Sequence, residues 1–170
     1  AVKNVVEIYK STGDRKATQM VFLGEGRSYV KGVEPKVVKF DAYADIRAKL
    51  IKAGIPADEV VFAEKYKTKE QKEQLYKDMN SGKIRVIIGS YALMGTGLNI
   101  QERLYAIHEI DVPWRPSDIE QSEGRMIRQG NMHKEWGIPV KIHRYIVAGE
   151  GSFDAFMWQL QESKLVGQQK

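Results

Sequence analysis

No cysteine occurs in the 170-residue sequence, so disulfide bonds and thiolate metal sites are excluded. The three histidines, His108, His133 and His143, do not have the spacing of a zinc site, and we expect no metal site. The longest apolar runs, such as residues 86–88, are far too short to cross a membrane, and no signal peptide is recognisable. These absences lead us to expect a cytoplasmic protein with no membrane partner.

The sequence also has no G-x-x-x-x-G-K-[ST] loop, the element that cradles the β and γ phosphates of a nucleotide. No two carboxylates are paired in a pattern suited to acid–base catalysis. A dinucleotide-binding G-x-G-x-x-G motif is incomplete, because Ile100 stands where the last glycine belongs. A dinucleotide-dependent enzyme is therefore the weakest of the hypotheses considered below.

The composition is that of a soluble globular chain, with 42% hydrophobic and 29% charged residues. Its length fits one domain, which we take to span residues 1–170. The formal net charge of +5 favours a polyanionic partner, although many basic proteins bind nothing in particular.

Short apolar runs typical of strands alternate with helix signals along the chain. Strands are predicted at residues 19–23, 59–63, 85–89, 105–110 and 140–147. Helices are predicted to begin at the capping residues Asp41, Thr68, Ser117 and Ser152, and residues 24–36 to form a loop or small hairpin. The pattern predicts an α/β fold, a three-layer domain with a mostly parallel sheet and helices on both faces. Ligands of such sheets bind at the carboxyl ends of the strands.

The predicted helix at residues 117–129 carries Gln121, Arg125 and Arg128 on one face, opposite its apolar residues. Two guanidinium groups and a carboxamide suit a phosphate chain, because arginine binds phosphate oxygens in a bidentate manner. The alternative is a solvated helix face with two ordinary arginines.

A glycine-rich turn follows the predicted strand at residues 85–89. Gly95 and Gly97 permit a close backbone approach, and Asn99 supplies a hydrogen-bond donor and acceptor. The turn is a candidate contact for a phosphate or ribose. The alternative is a tight turn with a buried asparagine.

Two further segments are candidate nucleic-acid contacts. The second predicted strand is followed by Lys65, Lys67 and Lys69, which interleave with an aromatic residue. Phosphates and one stacked base of a nucleic-acid strand can lie there. The alternative is a solvated loop. Trp114 and Arg115 follow the fourth predicted strand between two prolines. Trp114 offers a ring for stacking on a base, although a large aromatic at this place more often packs at the edge of a core.

Four segments together resemble the second lobe of superfamily-two helicases, in the same order and spacing. QSEGRMIRQGN at residues 121–131 is similar to the last conserved motif of these enzymes, and GTGLNIQ at residues 95–101 to the preceding motif in its Swi/Snf-type form. PWRP at residues 113–116 resembles the W-N-P of that group, and residues 19–23 resemble the first strand of the lobe.

The resemblance implies the second of two RecA-like lobes of an ATP-driven motor. In that family ATP binds between the lobes, and the first lobe brings the phosphate loop and the acidic pair that holds Mg²⁺. The second lobe brings arginine fingers, which match Arg125 and Arg128, and Gln121 occupies the position that senses the γ-phosphate. Gly97 and Asn99 match positions near the ribose and the nucleic-acid backbone.

The chain departs from the Swi/Snf-type pattern at Tyr91 and Ala92, where threonine and lysine are usual. The nucleic-acid contact of those positions is therefore not carried over, and Ser90 is the candidate substitute. Residues 111–131 and 152–159 are similar to the long helicase–methylase proteins of phages and conjugative elements.

The leading hypothesis is a motor lobe that acts with ATP, Mg²⁺, a first lobe of the same polypeptide and DNA, with RNA as the other possible strand. The alternative is a non-catalytic α/β module that binds nucleic acid or a nucleotide. By itself the chain is expected to be inactive as an ATPase, because the phosphate loop is missing.

Overall fold

The computed structural model describes residues 1–24, 27–29, 31–94, 98–110 and 130–145. The strands, in chain order, are β1 (Thr18–Phe22), β2 (Arg27–Tyr29), β3 (Val38–Asp41), β4 (Val60–Phe62), β5 (Val86–Gly89), β6 (Leu104–Glu109) and β7 (Lys141–Arg144). The helices are α1 (Val2–Ser11), α2 (Ala42–Lys52), α3 (Lys69–Asn80), α4 (Tyr91–Met94) and α5 (Met132–Glu135), with 3-10 turns at Ala57–Glu59 and Ala63–Lys65.

Five strands form one sheet in the order β4-β5-β1-β6-β7, and every neighbouring pair is parallel. The central strand β1 pairs Met20 with Ile87 of β5 on one side and with Ile107 of β6 on the other. Strands β2 and β3 form a separate antiparallel hairpin between β1 and α2. Residues 24–36 were predicted to form a loop or a small hairpin, and the structure has a hairpin whose second strand begins only at Val38, beyond the predicted segment.

Helices cover both faces of this sheet. Successive residues of a strand point to opposite sides, so the buried strands present apolar side chains on both faces. Met20 and Phe22 of β1 pack with α3 and α4 in one core, whereas Val21 packs with α1 and α2 in the other. The two cores confirm the predicted three-layer α/β class. No helix in the described ranges is long and apolar enough to cross a membrane.

The helix starts follow from local capping. Asp41 accepts a hydrogen bond from the Ala44 amide at 3.2 Å and caps α2. Thr68 and Gln71 form the reciprocal capping box that opens α3. Beyond the ends of α2 and α3, Gly54 and Gly82 have positive φ angles of 112° and 80°, which only glycine adopts without strain.

A buried arginine joins α1 to β5 at the amino end of the sheet. The side chain of Arg85 is only 3% exposed, and its Nε donates to the Ala17 carbonyl at 2.6 Å. Its Nη2 donates to the Tyr9 carbonyl and to the Thr12 hydroxyl, and the guanidinium lies 4.3 Å from the centre of the Tyr9 ring. Burial lowers the pKa of Arg85, and the hydrogen bonds from Nε and Nη2 compensate in part for the loss of hydration.

A second buried polar network centres on His108 of β6. Its two ring nitrogens lie 2.7 Å from the Tyr145 hydroxyl and 2.7 Å from Gln19 Oε1. Its ring stacks on that of His143, with 5.0 Å between centroids. Burial, reinforced by the neighbouring His143, lowers the pKa of His108 from 6.5 to about 3, so the ring is neutral at pH 7.

Candidate nucleic-acid interface at the carboxyl edge

The carboxyl ends of β4 and β5 meet because Gly89 has no side chain. A Cβ atom at Gly89 would lie 2.8 Å from Cβ of Ala63 and 3.0 Å from Cγ of Met94. The 3-10 turn at Ala63–Lys65 therefore packs directly against β5 and α4. This close approach brings together residues that follow two different strands, as expected at the edge where parallel sheets bind ligands.

A cavity of about 100 Å³ lies at this junction, and we call it the first cavity. Its walls are Tyr43, Phe62, Glu64, Ile88, Gly89, Ser90 and Leu93. The Tyr43 hydroxyl donates to the Leu23 carbonyl at 3.2 Å, and the Arg47 guanidinium lies 5.8 Å from the centre of the Phe62 ring. Both aromatic walls are thus held in place by contacts outside the cavity.

The second cavity, also of about 100 Å³, lies on the other side of Leu93. It is lined by Ala63, Tyr66, Lys72, Leu75, Tyr76, Leu93 and Leu98. Leu93 separates the two cavities and is 50% exposed, in contrast to the buried residues Tyr91 and Met94 of the same helix. Burial, with a smaller effect of Asp78, raises the pKa of Tyr66 above its ordinary value of 10, so the phenol is neutral at pH 7.

Lys65, Lys67 and Lys69 are exposed and lie between the end of the 3-10 turn and the first residue of α3. The backbone that carries them is fixed, because Gln71 Oε1 accepts hydrogen bonds from the amides of Lys67 and Thr68 at 2.9 and 3.1 Å. The three ammonium groups therefore project from one rigid turn beside the second cavity.

Ser90 follows β5 and lines the first cavity, on the same edge as the lysines. Its hydroxyl oxygen accepts a hydrogen bond from the Leu93 amide at 3.2 Å. The adjacent Tyr91 is buried and stacks on Phe22, with 4.9 Å between ring centroids. Tyr91 therefore serves the core, whereas Ser90 lies at the cavity.

Asn99 is exposed, and the structure does not bring it together with Ser90. Its carbonyl accepts a hydrogen bond from Asn80 Nδ2 at 2.9 Å. Asn80 ends α3, roughly 16 Å along the helix from Lys69 at 1.5 Å per residue. Asn99 thus lies near the amino end of the sheet, and its predicted contact with a ribose stays a prediction.

The other predicted site residues lie outside the described residues: Gly95, Gly97, Trp114, Arg115, Gln121, Arg125 and Arg128. The predicted helices beginning at Ser117 and Ser152 lie there too. The structure does describe the point where the arginine segment ends. Gly130 has a φ of 92°, as expected where that helix was predicted to stop, and Asn131 is completely buried against β6.

The site residues predicted from the sequence did not include the cavity walls Tyr43, Phe62, Glu64 and Leu93. Glu64 and Leu93 belong to segments that follow predicted strands, to which the rule of ligand binding at strand ends points. The exposure of Leu93 itself depends on how α4 packs. Within the described ranges, no group of three histidine or acidic side chains is placed to hold a metal ion.

Residues 32–130 match the model of the helicase conserved C-terminal domain, and they make up more than half of the chain. The chain belongs to the helicase C-terminal domain family. This assignment confirms the resemblance drawn from the four motifs, and the parallel five-stranded sheet is that of a RecA-like lobe.

One curated relative of this helicase domain is "Defense against restriction protein B" of Escherichia phage P1, which is 31% identical over 84 residues. The matched part covers 49% of this chain and only 3% of that protein. Among solved structures, the C-terminal part of the Fun30 ATPase domain has a TM-score of 0.62 at 17% identity, over 94% of this chain and 44% of that one.

The DUF1998 helicase MrfA, solved bound to DNA, has a TM-score of 0.60 at 15% identity, over 95% of this chain and 20% of that one. At these identities the two structures establish the shared fold. The chain spans less than half the length of each of these three proteins.

Proposed function

We propose that the chain is the second motor lobe of an ATP-dependent DNA helicase or translocase, and that it forms part of the nucleic-acid track. The observation that carries this proposal is the convergence of Ser90 and the 65–69 lysine turn on the carboxyl edge of a helicase C-terminal domain. Exposed ammonium groups on a rigid turn suit the evenly spaced charges of a phosphate backbone.

The residues of this chain fit one half of an ATP site. Arg125, Arg128 and Gln121 supply the donors that phosphate oxygens require, and Asn131 fixes the end of their segment on β6. Gly95 and Gly97 are the proposed contacts to the nucleotide sugar and phosphates, whereas the ribose contact of Asn99, which lies near the amino end of the sheet, stays a prediction from the sequence alone. We assign the Mg²⁺ ligands and the phosphate loop to a first lobe, because the described residues offer no cluster of carboxylates and the sequence has no phosphate loop.

The arginines would stabilise the negative charge that develops on the transferred phosphoryl group, a contribution worth about 10³–10⁵ in rate. Trp114 and Arg115 extend the proposed nucleic-acid contacts along the segment that precedes the arginines.

DNA is the proposed strand because the MrfA helicase, which shares the fold, was solved bound to DNA. The phage relative supports a mobile-element origin for the whole protein. An attached methylase follows only from the likeness of residues 111–131 and 152–159 to helicase–methylase proteins.

The test uses a polypeptide that joins this chain to a first lobe with a phosphate loop. Arg125→Ala and Arg128→Ala should each abolish most DNA-stimulated ATP hydrolysis and weaken ATP binding much less. Arg→Lys should also fail, because an ammonium does not reproduce the planar fork of a guanidinium. The matched control is Arg103→Lys, which removes a guanidinium that binds the carbonyls of Asn80 and Arg15 near the amino end of the sheet.

The 170-residue chain alone should show no ATP turnover above background. Turnover that survives in both arginine variants would show that these residues are structural. DNA binding without DNA-stimulated turnover in any longer form would instead support the non-catalytic binding module.

A further inference from the structure

Leu93 is a half-exposed aliphatic side chain with a cavity on each side. Tyr91 and Met94 of the same short helix are buried, whereas Ala92 and Leu93 are exposed. A single exposed leucine is common on protein surfaces, so the informative feature here is the space beside it. Here the side chain forms a wall of both cavities, so its apolar surface faces space rather than packed protein. A flat apolar group can therefore pack against the side chain of Leu93.

The first cavity has the lining expected for a planar ring that carries polar edges. Two aromatic side chains, Tyr43 and Phe62, and the aliphatic Leu93 supply apolar walls, and Glu64 and Ser90 supply polar atoms. About 10–15 Å³ of cavity volume holds one water molecule. A cavity of about 100 Å³ therefore has room for several water molecules or for one planar ring.

Charge divides the surface around Leu93. Glu64 lines the first cavity, and its carboxylate repels a phosphate while it accepts hydrogen bonds from N–H groups. Lys72 lines the second cavity, and Lys65, Lys67 and Lys69 lie on the adjoining turn. A ligand with an uncharged ring at one end and phosphates at the other would place its ring in the first cavity and its phosphates towards the lysines.

We propose that the first cavity holds one unstacked base of a single nucleic-acid strand, with Leu93 packed against the face of that base. This inference rests on the proposed function, because the strand that supplies the base is the one held by the lysine turn. A side chain wedged against an extruded base is a known way for proteins to hold a strand out of its stack.

The second cavity gives Leu93 room to move as the base enters. A side chain in a close-packed core resists displacement, since protein interiors have few voids. Leu93 can instead shift towards Tyr66 and Leu98 without a clash, because that side is also open. Arg47 and Leu23 meanwhile hold Phe62 and Tyr43 in place, so the opposite walls stay fixed.

The test compares a fluorescent single-stranded DNA with an abasic strand of the same length and charge, by titration with the 170-residue chain at low salt. The base-bearing strand should bind about 5- to 10-fold more tightly, the lower range of what one stacked base contributes. Leu93→Ala should bring this ratio below about two. Since the side chain is exposed, the variant should keep its melting temperature.

Leu93→Lys separates the apolar contact from charge. The added ammonium should strengthen binding of both strands through phosphate contacts, while the ratio between them falls towards one. The matched control is Ile142→Ala, which shortens an aliphatic side chain that is 43% exposed on β7, at the opposite edge of the sheet from β4. It should leave both affinities and their ratio unchanged.

The failures of the two proposals are distinguishable. If neither strand binds, or if binding does not depend on the lysine turn, the proposed nucleic-acid track is wrong. If the wild-type chain binds both strands equally, or if Leu93→Ala keeps the ratio, the base site alone is overturned. Displacement of the strand by millimolar free nucleoside monophosphate would also overturn it, because the cavity would then take a free nucleotide.

Discussion

Asn131 Nδ2 donates a hydrogen bond to the Leu104 carbonyl at 2.8 Å, across 27 residues of sequence. The same side chain accepts hydrogen bonds from the amides of His133 and Lys134 at 3.0 and 3.1 Å and so caps α5. One buried carboxamide therefore attaches the chain to β6 directly after the segment that carries the two candidate arginine fingers.

Asn131→Ala should lower the free energy of unfolding by about 2–3 kcal/mol, because it removes a helix cap and leaves the Leu104 carbonyl without its donor. Chemical denaturation measures the change. The control is Asn99→Ala, since the Asn99 side chain is exposed, and its loss should change stability by less than about 0.5 kcal/mol. Equal effects of the two substitutions would contradict the anchoring role.

Gly89→Ala should destabilise the protein by about 1–3 kcal/mol, because the added methyl group overlaps with Ala63 and Met94. Gly13→Ala is the matched control, since a Cβ there meets only the Lys10 carbonyl, at an ordinary 3.6 Å. Thermal unfolding of both variants decides the point. A Gly89→Ala protein as stable as wild type would mean that the junction of β4 and β5 has room for a methyl group.

Stability should decrease as the pH falls below 6.5. The unfolded chain binds a proton at His108 near pH 6.5, whereas the folded chain resists protonation down to about pH 3. Between these values the unfolded state holds more protons, so acid favours unfolding. We expect a loss of about 2 kcal/mol between pH 7 and pH 5 from this residue alone.

The measurement is the free energy of unfolding at the two pH values. Burial also lowers the pKa of His133 and His143, so both contribute in the same direction. His108→Gln should remove most of the contribution of His108 and leave theirs. A variant with the same pH dependence as wild type would show that His108 titrates normally in the folded protein.

DNA binding by the chain should be weak and steeply dependent on salt concentration. It should not depend on the base sequence, because the lysines contact phosphates. Replacement of Lys65, Lys67 and Lys69 by alanine should reduce the slope of log K against log salt by about one for each lysine that contacts a phosphate. The control removes the same charge elsewhere, at Lys3, Lys10 and Lys83, which are exposed on α1 and before β5. If both triple variants lose affinity alike, net charge rather than the lysine turn binds the DNA.

Local signals predicted the architecture well. Asp41 and Thr68 cap the helices that they were expected to begin, because a cap and its partner amides lie within three residues of each other. The five strands of the sheet lie within one or two residues of their predicted starts and ends, except that β7 ends at Arg144 within the described residues. The alternation of apolar residues with turn signals is enough for this.

Non-local contacts were not predictable. Nothing near Arg85 in the sequence shows that its guanidinium is buried, because its partners Tyr9, Thr12 and Ala17 are 68 or more residues away. His108 and His143 appear scattered in the sequence, yet parallel pairing of β6 with β7 stacks their rings. The contacts of Arg85 and of the two histidines therefore depend on the topology of the sheet.

The candidate site was half predictable. Ser90 and Lys65 follow strands, so the rule for parallel sheets placed them at one edge. The orientation of α4 is set by the stacking of Tyr91 on Phe22, and this packing turns Leu93 outward. Asn99 was grouped with the carboxyl edge, whereas its contact with Asn80 places it at the far end of α3.

The position of Arg47 has a consequence for how the lobe behaves at high concentration. Its Nε and Nη2 donate to the carbonyls of Val60 and Ala57, so a cation covers the outer side of β4. On the other border of the described sheet, β7 presents Lys141, His143 and Arg144. An edge strand that is charged or covered resists pairing with a strand of another molecule. Removal of Arg47 should therefore expose a template for intermolecular strand addition, and the lobe should precipitate long before it loses its fold.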